Sequence, residues 1–395
     1  MSARVWITGL GAVTAAGVGI SPLRDLLLEG GTRVAADAEL GGLVTGRCPA
    51  PPVARPTRHL DRSATLFVTA AVEAWADAGI DGPSLDPARC GVIEGSSLGP
   101  LSETLAWTRG TNGPLQYRPS GLVRFMVGAG GAAIAQQYGL RGTVLHLSAG
   151  SVSAASAIGE AYARIASGTA DLMVAGGAEC PLAPEIVGHF RAAGILAPAG
   201  DGVPCRPFDR GRRGTVLGEG AGVIILESEA HGRRRGARCH GIIEGYGLSC
   251  EAHSMTSPDP RGSGVTGAIR AAIGDTPLAT IDWIKTHGTG TRPNDAAECA
   301  GLAAVFGPQL VDVPITSLKP AMGHSLGASG AVEAVAAVLC GTAGIVPATI
   351  GTTIVDPALP PCRVVRQVER HATHRALLLS ESFGGRCAAL LLAAA

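Results

Sequence analysis

The sequence predicts an α/β fold of layered sheets and helices, and three observations carry that prediction. Short runs rich in Val, Ile and Leu alternate with Ala-rich stretches of helical length along nearly the whole chain. The short runs are apolar throughout, as strands buried on both faces are. Glycine accounts for 57 of the 395 residues and falls largely in small-residue turns between apolar runs, which suits tight β–α packing.

In chain order, strands are predicted over 4–8, 91–94, 143–147, 171–175, 222–226, 280–286, 313–316 and 375–379. Helices are predicted over 60–78, 151–167 and 296–306, from length and apolar spacing. The long apolar stretch 331–350 contains Glu333 and Gly341, so it reads as a buried core helix and strand and not as a membrane span. No Pro/Ser-rich linker interrupts the pattern. Two intimately packed halves are therefore expected, 1–245 and 246–395.

With 46% hydrophobic and 16% charged residues, the chain has the apolar mass for a large core. Thirty-two basic residues balance thirty-two acidic ones, which predicts no broad attraction to nucleic acid or an anionic membrane. Arg210, Arg212 and Arg213, then Arg233 to Arg235, are candidates for a local basic patch or a solvated face. Ten cysteines without C-x-x-C spacing or Cys/His clusters argue against zinc and against a disulfide framework. Together with the lack of a leader before the first strand, they make the cytoplasm the expected compartment. Gly9-Leu-Gly11 stops short of a dinucleotide fingerprint, so no bound cofactor is expected.

Three segments could carry chemistry. In His146-Leu-Ser-Ala-Gly-Ser151-Val-Ser-Ala-Ala, a strand-like run ends in small residues and an Ala-rich helix begins. A nucleophile at that junction gains from the free N–H groups of the helix start. On local pattern alone a serine there is an N-cap. In Lys285-Thr-His287-Gly-Thr289-Gly-Thr291, a histidine closes an apolar strand and opens into a hydroxyl-rich loop. In Ser317-Leu-Lys319-Pro-Ala-Met-Gly-His324-Ser-Leu-Gly-Ala-Ser-Gly330, a second histidine sits in a glycine-rich turn after a strand. Either histidine alone reads as structural. Two at strand exits point to a shared cleft, because ligands of α/β sheets gather beyond the carboxyl ends of strands.

These segments, with Val5-Trp-Ile-Thr-Gly-Leu-Gly-Ala-Val, Val174-Ala-Gly-Gly-Ala-Glu179, Arg206-Pro-Phe-Asp209, Leu217-Gly-Glu-Gly-Ala-Gly222, Met255-Thr-Ser-Pro258 and Ser382-Phe-Gly384, resemble the β-ketoacyl-ACP synthases of the thiolase-like superfamily. The resemblance runs nearly end to end. It implies a duplicated, five-layer α/β/α/β/α fold, dimeric as a homodimer or with a related ketosynthase. It also implies an acyl carrier protein as partner, whose phosphopantetheine arm delivers the substrate. The first half would carry the nucleophile position and the second both histidines.

Counted back from Gly168-Thr-Ala-Asp171, the family's cysteine position falls on Ser151. The resemblance makes His287 and His324 the catalytic histidines, Lys319 the lysine before the second, and Glu298 an acidic support behind the site. Thr289, Thr291 and Thr256 match pantetheine-contacting positions. The family's Gly-Phe-Gly-Gly turn is replaced by Gly384-Gly385-Arg386-Cys387, so the gating aromatic is lost at Gly385. The N–H groups of Gly385 and Ser151 are then the expected oxyanion-hole donors. Leu98 to Leu101 and Phe125-Met126-Val127 match the family's dimer interface and acyl pocket, or are simply core. His146 is expected to point away from Ser151.

A helix N-terminus can bring a thiol toward thiolate near neutral pH but cannot do this for an alcohol. Serine needs a general base within hydrogen-bond reach, His287 or His324. Its acyl-enzyme would be an oxygen ester, less reactive toward a carbanion, which disfavours repeated elongation. Three functions follow in order: a serine-dependent acyltransferase, a non-elongating partner subunit like a chain-length factor, and a malonyl-ACP decarboxylase.

Overall fold

The structure, a computed structural model, describes residues 3–51, 58–81, 85–110, 119–198, 200, 202–372 and 374–395. Ten strands build most of one sheet: β1 (Val5–Thr14), β2 (Cys90–Gly95), β3 (Val144–Leu147), β4 (Leu172–Glu179), β5 (Gly220–Ser228), β6 (Gly241–Cys250), β7 (Trp283–Lys285), β8 (Pro314–Thr316), β9 (Arg375–Ser382) and β10 (Arg386–Ala394). Their order from one edge is β8-β7-β9-β10-β6-β1-β5-β4-β2-β3, with the short strands Arg363–Val364 and Gly17–Val18 completing twelve.

The order hides a repeat. From the centre outward, β1-β5-β4-β2-β3 and β6-β10-β9-β7-β8 have the same connectivity and the same directions. In each, the first pairs are antiparallel and the last two parallel. The repeats join where β1 meets β6, at Val5 opposite Ile243, Trp6 opposite Ile242 and Ile7 opposite Gly241. The second repeat starts with β6, so residue 245 falls inside a strand and not in a connection.

Six helices cover this sheet: α1 (Arg62–Asp77), α2 (Ala129–Tyr138), α3 (Ser153–Ala166), α4 (Ser263–Ile273), α5 (Arg292–Phe306) and α6 (Ser329–Ala343). Three apolar clusters show the layering. One joins α1 and α2 to the first repeat, through Phe67, Ala70, Ile134, Val92, Val174 and Val223. Another joins α4 and α5 to the second, through Ile269, Leu302, Ile284, Leu377 and Leu391. Between them α3 and α6 pack together and against both halves, with Ile158, Ala161, Val335, Ile7, Ile224 and Leu390. This is the five-layer thiolase-like arrangement. Leu326–Ala343 has the length and apolarity of a membrane span but is 78% buried within this middle layer.

The eight predicted strands are present, and β6 and β10 are additions the sequence reading missed. The first predicted strand continues past 8 to Thr14 because Gly9 and Gly11 lie within it. Those glycines let α1 touch the sheet: a Cβ on Gly9 would meet the Ala74 carbonyl at 2.1 Å, and one on Gly11 the Ala70 carbonyl at 1.9 Å. The arginine runs do not form one solvated face. Arg212 is buried against Asp356 at 2.6 Å, and Arg235 is buried against Glu227. Nor are the apolar residues near 125 core: Phe125, Met126 and Val127 are 38%, 45% and 55% exposed.

Gly11→Ala must push α1 off β1, so it should destabilise the protein by about 1–3 kcal/mol, as overpacking does. Gly188→Ala, in helix Pro184–Ala192 with nothing within 4 Å of the added methyl, should be neutral or slightly stabilising. Urea midpoints of the two variants against the unmodified protein measure the contrast.

Candidate active site

The chain turns sharply between β3 and α3. Gly150 takes a positive φ of 65°, and the turn is fastened by Ser153, whose hydroxyl donates to the Gly150 carbonyl at 2.6 Å and accepts from the Ala149 N–H at 2.8 Å. Ser151 makes no side-chain cap of α3. Its Oγ instead lies 3.2 Å from His324 Nε2, at a buried position. His146 faces away, with Nδ1 3.8 Å from Glu94.

His324 is pinned from behind. Its N–H donates to Val216 at 2.7 Å and its carbonyl accepts from Gly218 at 2.9 Å, a bridge back to the first repeat. Its Nδ1 lies 2.9 Å from Ser329 Oγ, the first residue of α6. With Nδ1–H donating to that hydroxyl, Nε2 is left as an acceptor facing Ser151. His287 stands across the cleft, the two rings meeting edge to face with centroids 5.2 Å apart.

His287 is placed by Glu298 of α5, which accepts from the N–H groups of His287 at 2.5 Å and Gly288 at 2.8 Å. Burial pushes the Glu298 carboxyl up to about 7. Lys319 donates to the His287 carbonyl and to Glu333 at 3.1 Å. Glu333 also pairs with Lys285, which donates to the Leu379 carbonyl. Burial, followed by the Lys319 charge, holds both imidazoles well below the usual histidine range. Both rings are therefore neutral at neutral pH, and His324 is in the state a general base requires.

The structure thus brings Ser151, His324, His287, Lys319 and Glu298 together. Thr289 and Thr291 share a hydrogen bond at 2.9 Å in the loop beyond His287. Thr256 sits in an exposed loop tied to the turn after β9 by the Gly384 N–H, which donates to Met255 at 2.9 Å. The expected oxyanion donors are the exception. The Ser151 N–H is already given to Ser382 Oγ at 3.0 Å, and the Gly385 N–H to the Ser382 carbonyl at 3.1 Å. Ser382 takes up both, the first on its hydroxyl and the second on its carbonyl.

Three contributors escaped the sequence reading. Ser329 lay within the quoted histidine segment, but a 3-10 turn over Leu326–Ala328 was needed to bring it under the ring. Ser382 and Glu333 lie 231 and 14 residues from the groups they contact, Ser151 and Lys319. Two thiols come near the cleft. Cys205 donates to the Thr289 carbonyl at 3.4 Å, and burial pushes it up to about 12; Cys250 is exposed, 3.7 Å from the Gly384 carbonyl. A cavity of about 300 Å³ lined by Cys239, Trp283, Thr342 and Leu392 contains none of the site residues.

Fold and cleft define a thiolase-like protein with a serine and two histidines at its centre. Family models for the beta-ketoacyl synthase N-terminal and C-terminal domains match residues 51–231 and 240–353. Nodulation protein E of Rhizobium meliloti is 34% identical, over 90% of each chain. The tetracenomycin polyketide synthase ketoacyl synthase alpha subunit of Streptomyces glaucescens is 31% identical, over 99% of this chain and 97% of its own. Among solved structures, a type II polyketide synthase acyl-carrier protein in complex with its ketosynthase superposes with a TM-score of 0.92 at 28% identity, over the whole of both chains. The ishigamide ketosynthase/chain length factor gives 0.90 at 29%, again over both whole chains. The chain belongs to the beta-ketoacyl synthase family.

Glu298→Ala leaves two buried N–H groups without an acceptor. At about 1–3 kcal/mol for each unsatisfied group, it should cost about 2 kcal/mol or more in urea unfolding. An unchanged midpoint would remove Glu298 as the support of the His287 loop.

Proposed function

We propose that Ser151 occupies the position of the family's nucleophilic cysteine and that the protein is an acyltransferase acting on acyl-carrier-protein thioesters in polyketide or fatty-acid assembly. One observation carries the reading: Ser151 Oγ lies 3.2 Å from Nε2 of a buried, neutral histidine whose other nitrogen meets a hydroxyl. In this mechanism His324 takes the Ser151 proton as Oγ attacks the thioester carbonyl, and returns it to the departing thiol of the phosphopantetheine arm. Ser329 holds the ring in the required tautomer. His287, which makes no hydrogen bond to Ser151, would face the acyl group and help pass it to an acceptor. The Thr289–Thr291 loop, with Thr256 nearer the surface, would line the arm.

A second reading is a non-elongating partner subunit paired with an active ketosynthase, as in the ketosynthase/chain length factor complexes among the structural neighbours. The engagement of both backbone oxyanion donors favours it. So does the exposed apolar surface at Met126, Val127, Val144 and Leu145, which lies along and beside the free sheet edge β3. Family dimers, with self or with a relative, would cover such an edge.

Intact mass after exposure to acyl carrier proteins separates the two. Acyltransfer predicts an adduct that maps to Ser151, not Cys250, and is absent in Ser151→Ala. His324→Ala should slow its formation by about 10²–10⁴-fold, the range for loss of a general base. No adduct, with tight co-purification of a cysteine-bearing homologue, would establish the partner subunit instead.

Because the His324 pKa is depressed, the neutral base persists as pH falls below 6.5, the ordinary histidine value. The acylation rate should therefore stay level through pH 6.5 and fall only at lower pH. Lys319→Met removes a charge that depresses His324 and should move the acid limb upward in pH. A profile with its midpoint already at 6.5 in the unmodified protein would contradict the neutral-base assignment.

A further inference from the structure

We propose that Arg386 supplies the positive charge that stabilises the oxyanion formed on the Ser151-bound carbonyl, replacing the two backbone donors withdrawn by Ser382. The inference rests on the acyltransferase reading and adds a residue to it.

A tetrahedral intermediate needs donors fixed where its negative oxygen develops, and these make one of the largest single contributions to such catalysis. In this chain the Ser151 N–H points to Ser382 Oγ at 3.0 Å. The Ser382 hydroxyl fits so closely that a Cβ on Gly150 would meet it at 2.0 Å. The Gly385 N–H closes the turn onto the Ser382 carbonyl. Neither is free for an incoming carbonyl oxygen.

Arg386 opens β10 directly after that turn. Side chains alternate along a strand. Cys387, Ala389 and Leu391 face the outer cluster with α4 and α5, while Ala388, Leu390 and Leu392 face the central one with α3 and α6. Arg386 has the parity of the second set and points toward the start of α3. Its Nη1 lies 4.0 Å from where a Gly150 Cβ would be, and its guanidinium lies 3.8–3.9 Å from the corresponding point at Gly384. Among the described residues no hydrogen bond or ion pair engages that guanidinium, and the side chain is exposed at the cleft mouth. An always-charged group on a rotatable stem thus stands beside the peptide that bears the nucleophile.

The step balances. Ser151 Oγ bonds to the thioester carbon, the carbonyl π pair moves to oxygen, and the hydroxyl proton passes to His324 Nε2. The oxyanion, facing Arg386, then re-forms the carbonyl, the C–S bond breaks, and the thiolate takes the proton from His324.

Hexanoyl-pantetheine is the probe, with Ser151 acylation followed in time by intact mass. If the unmodified protein forms no Ser151 adduct, the acyltransferase reading fails first and Arg386 loses its role with it. If the adduct forms, Arg386→Gln should slow acylation about 10²-fold, in kcat and not in KM. Arg386→Lys should recover part of the rate, and added methylguanidinium should partly rescue Arg386→Gln. An Arg386→Gln rate within twofold of the unmodified protein overturns the proposal, as does a loss that neither lysine nor methylguanidinium repairs.

Discussion

The closeness of α3 and α6 at the centre of the molecule fixes everything else about the site. A Cβ on Gly330 would stand 2.8 Å from that of Ala155, so small residues alone permit this approach. Ser151 lies two residues before one helix and His324 five before the other, each on the chain leaving the third strand of its repeat. Their 3.2 Å separation is therefore inherited from core packing, which yields little to local strain. Glu179, at the end of β4, reinforces the register. It accepts from Ser96 Oγ and from the N–H groups of Ser97, Leu98 and Gly327, joining the first repeat to the loop after His324.

Behind the rings, two buried lysines share one buried glutamate. Such a group is a poor source of stability, since desolvation offsets most of the attraction. Its consequence here is electrostatic. The nearby Lys319 and Lys285 charges add to burial in keeping both imidazoles unprotonated. The same Lys319 holds the His287 carbonyl, so position and protonation state of the histidines have one origin.

Much of this was legible in the residues. Apolar runs of strand length bounded by glycine-rich turns gave the buried strands, and the histidine segments marked the strand exits. Strands β6 and β10 were missed for a physical reason. The segment Gly241–Cys250 carries Glu244, Tyr246 and Ser249 among glycines, and the alanines of Arg386–Ala394 have low strand propensity. Their strand state comes from long-range pairing with each other and with β1 and β9. Ser382 was visible as a family marker, but its capture of the Ser151 N–H is a contact across 231 residues that no local side-chain pattern reports.

The chemical readings converge on a trade. A thiolate site can leave the proton to the helix and rely on rigid backbone N–H groups for the oxyanion. An alcohol must be deprotonated as it attacks, so the imaginable gain lies in a well-held neutral base, which His324 with Ser329 provides by geometry. The electrophilic half is weaker: backbone donors are taken, and the nearby charge sits on a mobile, solvent-facing stem. Mobility makes a side chain a poorer oxyanion donor than preorganised backbone. Such a site suits one acyl transfer from an activated thioester better than a repeated cycle in which every intermediate must be held and re-attacked. On the proposed reading the two features act together: the serine relies on the neutral base beside it, and Ser382 takes up the backbone donors that would otherwise face the acyl oxygen.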